Sequence, residues 1–228
     1  DQRFHMPVGK PEIAPFVVAQ MKRRRPDLVR IKVVLLLRAA DRIILHRVAE
    51  EEELDDYTYR VAGSVGEFWT HLTLEHLFKA DKDTEARLFE TGVRFGKALQ
   101  LINILRDLPV DLRLGRCYIP STVLAEHDLV PGDLLDQGYI DMASAHLDAA
   151  VEYIGLLPYS QFRLRGACTL PVLIGQRTLR LLRTENVLDA EKRIKVLRPE
   201  IKILKNKTIF ALPSRRRSQN LLDADRNA

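Results

Sequence analysis

Apolar residues recur at the three- and four-residue spacing of an α-helix along most of this 228-residue chain. No segment alternates apolar and polar residues between hairpin turns. That pattern predicts an all-α fold. The length suffices for one substantial hydrophobic core, so a single helical domain over residues 1–210 is expected, with no internal repeat.

Helix boundaries follow from the punctuation between the periodic runs. Glu12 to Arg25 is a short amphipathic candidate stopped near Pro26, and a second runs from Asp27 to about Ala49. Its Val33–Leu37 run is apolar on all sides and suits a buried strand equally well. The acidic stretch Glu51 to Asp56 fits a helix N-terminus, where carboxylates meet the positive end of the macrodipole, and the helix it opens should reach about Phe78. Ala62, Gly63, Ser64 and Gly66 thin its middle. Each glycine there costs about 1 kcal/mol relative to alanine, so either a neighbouring helix packs closely or an apolar ligand lies against bare backbone.

After a loop at Asp81–Asp83, a long helix is predicted from Thr84 to Leu112, followed by a turn at Gly115–Pro120 and another at Pro131-Gly132 before a short helix. Further helices are expected over Ile140–Leu157 and, despite Pro171 and Gly175, over Phe162–Leu182. The chain is basic from Lys192 and loses periodicity after Phe210. Residues 211–228 therefore read as a basic, disordered tail.

The Thr84–Leu112 helix carries the chemistry. At about 100° per residue, Gln100, Asn103, Asp107 and Asp111 fall within an arc of about 80°, while Ile102, Ile104, Leu105, Leu108 and Leu112 occupy the facing side. A solvated helix face commonly pairs acids with bases three or four residues away. Asp107 has Asn103, Ile104, Val110 and Asp111 at those positions; Asp111 has Asp107, Leu108, Leu114 and Gly115. Neither acid has a counter-ion at helical spacing, and two carboxylates one turn apart repel by a few tenths of a kcal/mol unless a cation lies between them. An oxygen-only donor set favours Mg²⁺, which takes one or two carboxylates and completes its shell with water and phosphate oxygens. Arg106, Arg113 and Arg116 add positive charge, so the arrangement reads as a magnesium-diphosphate site. Pro109 would lose its hydrogen bond to Leu105 at a cost of about 3 kcal/mol, so the helix should kink or end there.

The remaining composition sets limits. A formal charge of +5 and a pI near 9.3 suit an anionic partner. The clusters Arg23–Arg25 and Lys202–Arg217 show no pattern of interleaved aromatics and no helix-turn-helix, so no nucleic acid is expected. Basic tails are usually solvated, and contact with an anionic membrane is the next reading. No apolar run approaches the roughly 20 residues of a membrane span. Cys117 and Cys168 lack metal-ligand spacing and read as packing residues in a reducing compartment. His71 and His76 are off the spacing that puts two ligands on one helix face, Trp69 reads as core, and Ser64 has no evident base. The sequence opens on Asp1 without a signal-peptide pattern, and His5-Met6 reads as a tag junction.

GKALQLINILRDLPVDLRLGRCYIP (Gly96–Pro120), preceded by YTYRVAGSVGEFW (Tyr57–Trp69), strongly resembles the squalene/phytoene synthases. The likeness continues through RLRGACTLPVLIGQRTLRLL (Arg163–Leu182) and Lys195-Val196. This resemblance implies an isoprenoid-synthase helical bundle around a central cavity. It implies Mg²⁺-dependent head-to-head condensation of two farnesyl or geranylgeranyl diphosphates, through a cyclopropyl diphosphate, to squalene, dehydrosqualene or phytoene. NADPH would be needed for squalene alone. The cytoplasm, or the inner membrane face, would be the place of action.

Residue by residue, the resemblance makes Asp107 and Asp111 the second aspartate-rich motif, holding metal and diphosphate together with Arg106. Gln100 and Asn103 would line the same pocket. Tyr57 would stand near the reacting centre, and Ala62, Val65 and Gly66 would leave room for a prenyl chain, which turns the thin helix middle toward its ligand reading. The family's first aspartate-rich motif is represented by LLLRAADRIIL, in which Arg38 and Asp41 fit but Leu45 stands where a second acid would be. The short interval from Asp41 to Tyr57 fits a chain lacking part of its N-terminal half. It also fits a member that has lost half its metal site, and an inactive relative acting in binding or assembly is the alternative function.

Overall fold

In the computed structural model, residues 50–120, 138–187 and 194–226 are described. The expected helices before Ala49, the Val33–Leu37 run, Arg23–Arg25, Arg38, Asp41 and the Pro131-Gly132 turn lie outside these residues. Helix α1 (Glu51–Thr58) passes through a π-helical turn (Tyr59–Gly63) into α2 (Ser64–His76). Then follow α3 (Lys82–Arg113), α4 (Tyr139–Leu156), α5 (Phe162–Thr184), α6 (Arg198–Ala211) and α7 (Arg215–Arg226). The all-α expectation holds across the described residues.

Helix α3 begins where Asp81 caps it: the Asp81 carboxylate accepts from the Thr84 N–H at 2.8 Å and from the Thr84 hydroxyl at 2.9 Å. Asp83 and Glu85 complement the dipole in its first turn. Of the two outcomes expected at Pro109, a kink or an end, the helix does not end there: it continues to Arg113, one residue past the predicted Leu112. Leu105 and Leu108, each 1 % exposed, lie in the turn before the proline, and their burial opposes the loss of one backbone bond. The true end is a Schellman motif. Gly115, at φ 72°, donates to the Leu112 carbonyl at 3.0 Å, and the Arg116 N–H donates to the Asp111 carbonyl at 2.8 Å.

Successive helices run up and down along α3. Arg87 on α3 pairs with Glu152 near the end of α4, and Arg94 reaches the Ala145 carbonyl at 2.8 Å. Arg183, near the end of α5, returns to Asp141 at the start of α4. Leu88, Ala98, Leu101, Leu105 and Leu108 of α3, Leu147, Tyr153 and Ile154 of α4, and Cys168, Val172 and Leu173 of α5 form the centre of the core. Its burial on several faces explains how α3 holds a long helix around a proline.

The thin helix middle is a helix contact. A Cβ added at Gly66 would lie 1.9 Å from the Gly92 carbonyl oxygen, and one added at Gly96 would lie 2.1 Å from the Ala62 carbonyl oxygen. Backbone therefore meets backbone where the π turn and α2 cross α3, and small residues are what permit it. Residues 215–226 correct the disordered-tail expectation: they form α7. Ser218 and Leu222, one turn apart, are buried, Ser218 donates to the Ala211 carbonyl at 3.0 Å, and Gln176 donates to the Leu222 carbonyl at 3.1 Å. One short buried stripe on an otherwise polar helix produces little periodicity in sequence.

Candidate functional site

The last four turns of α3 carry Gln100, Asn103, Arg106, Asp107 and Asp111, all half-buried. Asp107 is gripped by its immediate neighbour. Arg106 donates from Nε to Oδ1 at 3.0 Å and from a terminal nitrogen to Oδ2 at 2.6 Å. This corrects the expectation that neither acid has a partner in its own helix. Adjacent helical residues do not ordinarily face each other, but the arginine stem is long enough to fold its fork onto the next carboxylate.

Asp111 differs. Burial, and then the negative charge of Asp107, hold its carboxyl above the usual carboxylate range, with Arg116 acting in the opposite direction. Among the described residues, no side chain forms a hydrogen bond or ion pair with it. The Schellman closure fixes its turn of helix through the Asp111 carbonyl.

Across from this acid lies a tyrosine pair. Tyr57, 7 % exposed, stacks on Tyr118 with ring centroids 4.9 Å apart and planes at 19°. Burial is the main cause that raises the Tyr57 phenol far above its ordinary value. The Tyr118 hydroxyl and the Asp111 charge push the same way, and a hydrogen bond with Gln100 opposes them. Tyr57, Gln100 and Asp111 are thus brought together. Lys97 holds the tyrosine's helix in place through its 2.6 Å ion pair with Asp55, and Tyr139 donates to Glu51 at 3.4 Å.

Other sequence candidates fall elsewhere. Gly66 and Ala62 face α3 backbone, and Val65 is 46 % exposed, so the space beside Gly66 is filled by a helix. The turn to a ligand reading there gives way to close packing. His71 lies against Phe89 at 4.4 Å, His76 beside Glu75, and the Ser64 hydroxyl donates to the Arg60 carbonyl. Trp69 packs against the core and Cys168 is buried within it. Tyr118 is the residue that sequence reasoning passed over; its only signal was its position just past the Gly115 turn.

The donor chemistry fits magnesium. Two carboxylates of one helix face supply hard oxygens, and Asp111 gains from any cation that relieves its burial and its repulsion by Asp107. Among the described residues no cluster of three or more acidic, histidine or cysteine side chains could hold a metal. The pair would therefore leave most of a magnesium shell to water and phosphate.

The antiparallel helices superpose on solved squalene synthases, which gives the chain the all-α isoprenoid-synthase fold. The chain superposes on TcSQS in its complex with the ligand BPH1237 with a TM-score of 0.61 at 19 % identity, covering 78 % of this chain and 54 % of that one. Squalene synthase HpnC from Alicyclobacillus acidocaldarius superposes with a TM-score of 0.53 at 26 % identity, covering 66 % and 58 %. The squalene/phytoene synthase family model matches residues 24–200, and the chain belongs to that family.

Among curated relatives, the bifunctional lycopene cyclase/phytoene synthase of Neurospora crassa is 42 % identical over 83 residues, 36 % of this chain. The phytoene synthase of Thermus thermophilus is 39 % identical over 88 residues, 39 % of this chain. The matched stretch spans 14 % of the first relative and 27 % of the second.

Proposed function

We propose that this chain takes part in head-to-head condensation of two prenyl diphosphates, and that the end of α3 is where a diphosphate is held. The observation that carries this reading is the half-buried, repelled Asp111 beside Asp107, facing the Tyr57–Tyr118 pair. Asp107 and Asp111 would hold a magnesium ion, and Arg106 and Arg116 would face the diphosphate. When bound, the metal supplies positive charge to the departing diphosphate oxygens.

The chain's own residues provide the rest. Arg106 already orients Asp107 through two hydrogen bonds, so that carboxylate's aim is set before substrate arrives. Tyr57, protonated at neutral pH because burial favours the neutral phenol, presents an O–H without adding a charge beside an allylic cation. Stacked on Tyr118, it also keeps water from one side of the centre. Farnesyl or geranylgeranyl diphosphate is the proposed substrate, and squalene, dehydrosqualene or phytoene the product, with NADPH required for squalene alone.

The test is incubation of the full chain with each diphosphate, Mg²⁺ and optional NADPH, followed by analysis of the extracted hydrocarbon. A C30 or C40 hydrocarbon is expected. Undiminished product from Asp107→Ala would rule out the metal assignment, and a folded chain without turnover would favour the binding or assembly reading.

A further inference from the structure

A buried arginine at the start of α5 lacks the acceptors its charge requires. Arg165 is 5 % exposed, yet among the described residues its guanidinium makes no hydrogen bond and pairs with no carboxylate, and its buried Nε has no partner. What it meets is the Tyr159 ring, 5.6 Å from the centroid, and the guanidinium of Arg215 lies 6.0 Å from the same centroid. Burial, and then the charge of Arg215, lower the Arg165 pKa, with Tyr159 acting in the opposite direction. Two like charges on one ring, one of them buried, cost the isolated fold.

The first turn of α7 adjoins the same ring. The Tyr159 hydroxyl donates to the Pro213 carbonyl, and Leu212 lies in the space beside Gly166, so the turn leading into α7 packs on the start of α5. Ser214 caps α7 in part: its Oγ accepts from the Arg217 N–H at 3.3 Å, and its carbonyl from the Ser218 N–H at 3.0 Å. The Arg215 and Arg216 N–H groups have no acceptor among the described residues, and the positive end of the α7 dipole lies there. The acids exposed at this end of the bundle are engaged elsewhere. Glu75 lies beside His76, Asp81 caps α3, and Asp83 and Glu85 complement the α3 dipole.

We propose that this junction is a site for a small soluble phosphate, held by the guanidinium groups of Arg165 and Arg215 and by the free N–H groups that open α7. A tetrahedral oxyanion suits guanidinium forks and a helix N-terminus together. It would supply the acceptor that Arg165 lacks, screen the two arginines from each other, and complete the first turn of α7. Tyr159, 39 % exposed, and the exposed Arg215 leave the site open to solvent. Gln161 donates to the Leu77 carbonyl, so the site lies where α3 begins. Asp107 stands roughly 35–40 Å further along α3 at 1.5 Å per residue, which makes this site separate from the acid pair and independent of magnesium.

Calorimetric titration of the full chain with inorganic phosphate tests this, in magnesium-free buffer held at constant ionic strength with chloride. Saturable binding at one site is expected, with slower hydrogen exchange at the Arg215 and Arg216 amides. Arg165→Met keeps an apolar stem and removes the buried charge, so it should weaken phosphate binding at least about tenfold. Its thermal midpoint without phosphate should stay level or rise, because an unpaired buried charge is gone. Arg215→Gln, at an exposed position, should weaken binding about fivefold or more and leave that midpoint unchanged. Phosphate binding undiminished by both substitutions, stabilisation by chloride equal to that by phosphate, or a phosphate-free midpoint sharply lowered by Arg165→Met would each overturn the proposal. So would Arg165-dependent binding to phosphatidylglycerol vesicles with no binding of free phosphate, because the acceptor would then be a lipid headgroup.

Discussion

Tyr57 and Tyr118, sixty-one positions apart in sequence, stack at 4.9 Å with their hydroxyls on the side of Asp111 and Gln100. The raised Tyr57 pKa is matched by that of Tyr139, pushed up to about 12, again mainly by burial. A phenol whose folded pKa exceeds its unfolded value stabilises the fold fully below about pH 10, and that contribution falls away as pH rises through the folded pKa. The urea midpoint should therefore stay level to about pH 9 and decline above pH 10. Tyrosinate absorbance should show these groups titrating late in the native protein, and Tyr118→Leu should bring one of them back toward the ordinary range.

Asp111 carries the opposite lesson for metal binding. Its carboxyl pKa is raised, so its ionised form opposes folding above the ordinary carboxylate range. Without magnesium, Asp111→Asn should be as stable as the original chain or more so, by about 1 kcal/mol or less given its partial exposure. With magnesium and inorganic diphosphate the order should reverse, because only the original chain gains binding free energy. Thermal midpoints with and without the ligands decide this, and equal stabilisation of both chains would contradict it.

Gly66→Ala should be among the most damaging small substitutions. Its methyl group would enter the Gly92 carbonyl, which is backbone and cannot rotate away. Separating α2 from α3 should cost about 1–3 kcal/mol or more by denaturant titration.

Gly115→Ala tests conformation alone. Nothing lies within 4 Å of a Cβ there, but φ is 72°. The expected loss is about 1–2 kcal/mol. Because the Schellman closure holds the Asp111 carbonyl, magnesium affinity should fall with it.

Leu222→Ala checks the packing of α7. Leu222 is 1 % exposed, and its truncation should cost about 2–4 kcal/mol if the helix is integral to the fold. A neutral result would return residues 215–226 to the status of a loose tail.

Much of the fold was legible because helical amphipathicity is local. The 3.6-residue period of the segment around Leu101–Leu112 fixes a helix and places Gln100, Asn103, Asp107 and Asp111 on one face, whatever surrounds it. The grip of Arg106 on Asp107 was missed although Arg106 itself was a candidate, since helical spacing rules omit a side chain that folds back on its neighbour. Pro109 left a kink and an end both open, because propensity alone ignores the core that buries Leu105 and Leu108.

By itself, then, the sequence determined the helices, the acid pair and the family pattern, all properties of residues a few positions apart. The tertiary structure decided which surfaces meet. It assigned Gly66 to a helix crossing, Tyr118 to the acid pair, and Leu222 to the core. Each of those depends on a partner far along the chain, and the choice among possible partners is made by packing rather than by local periodicity.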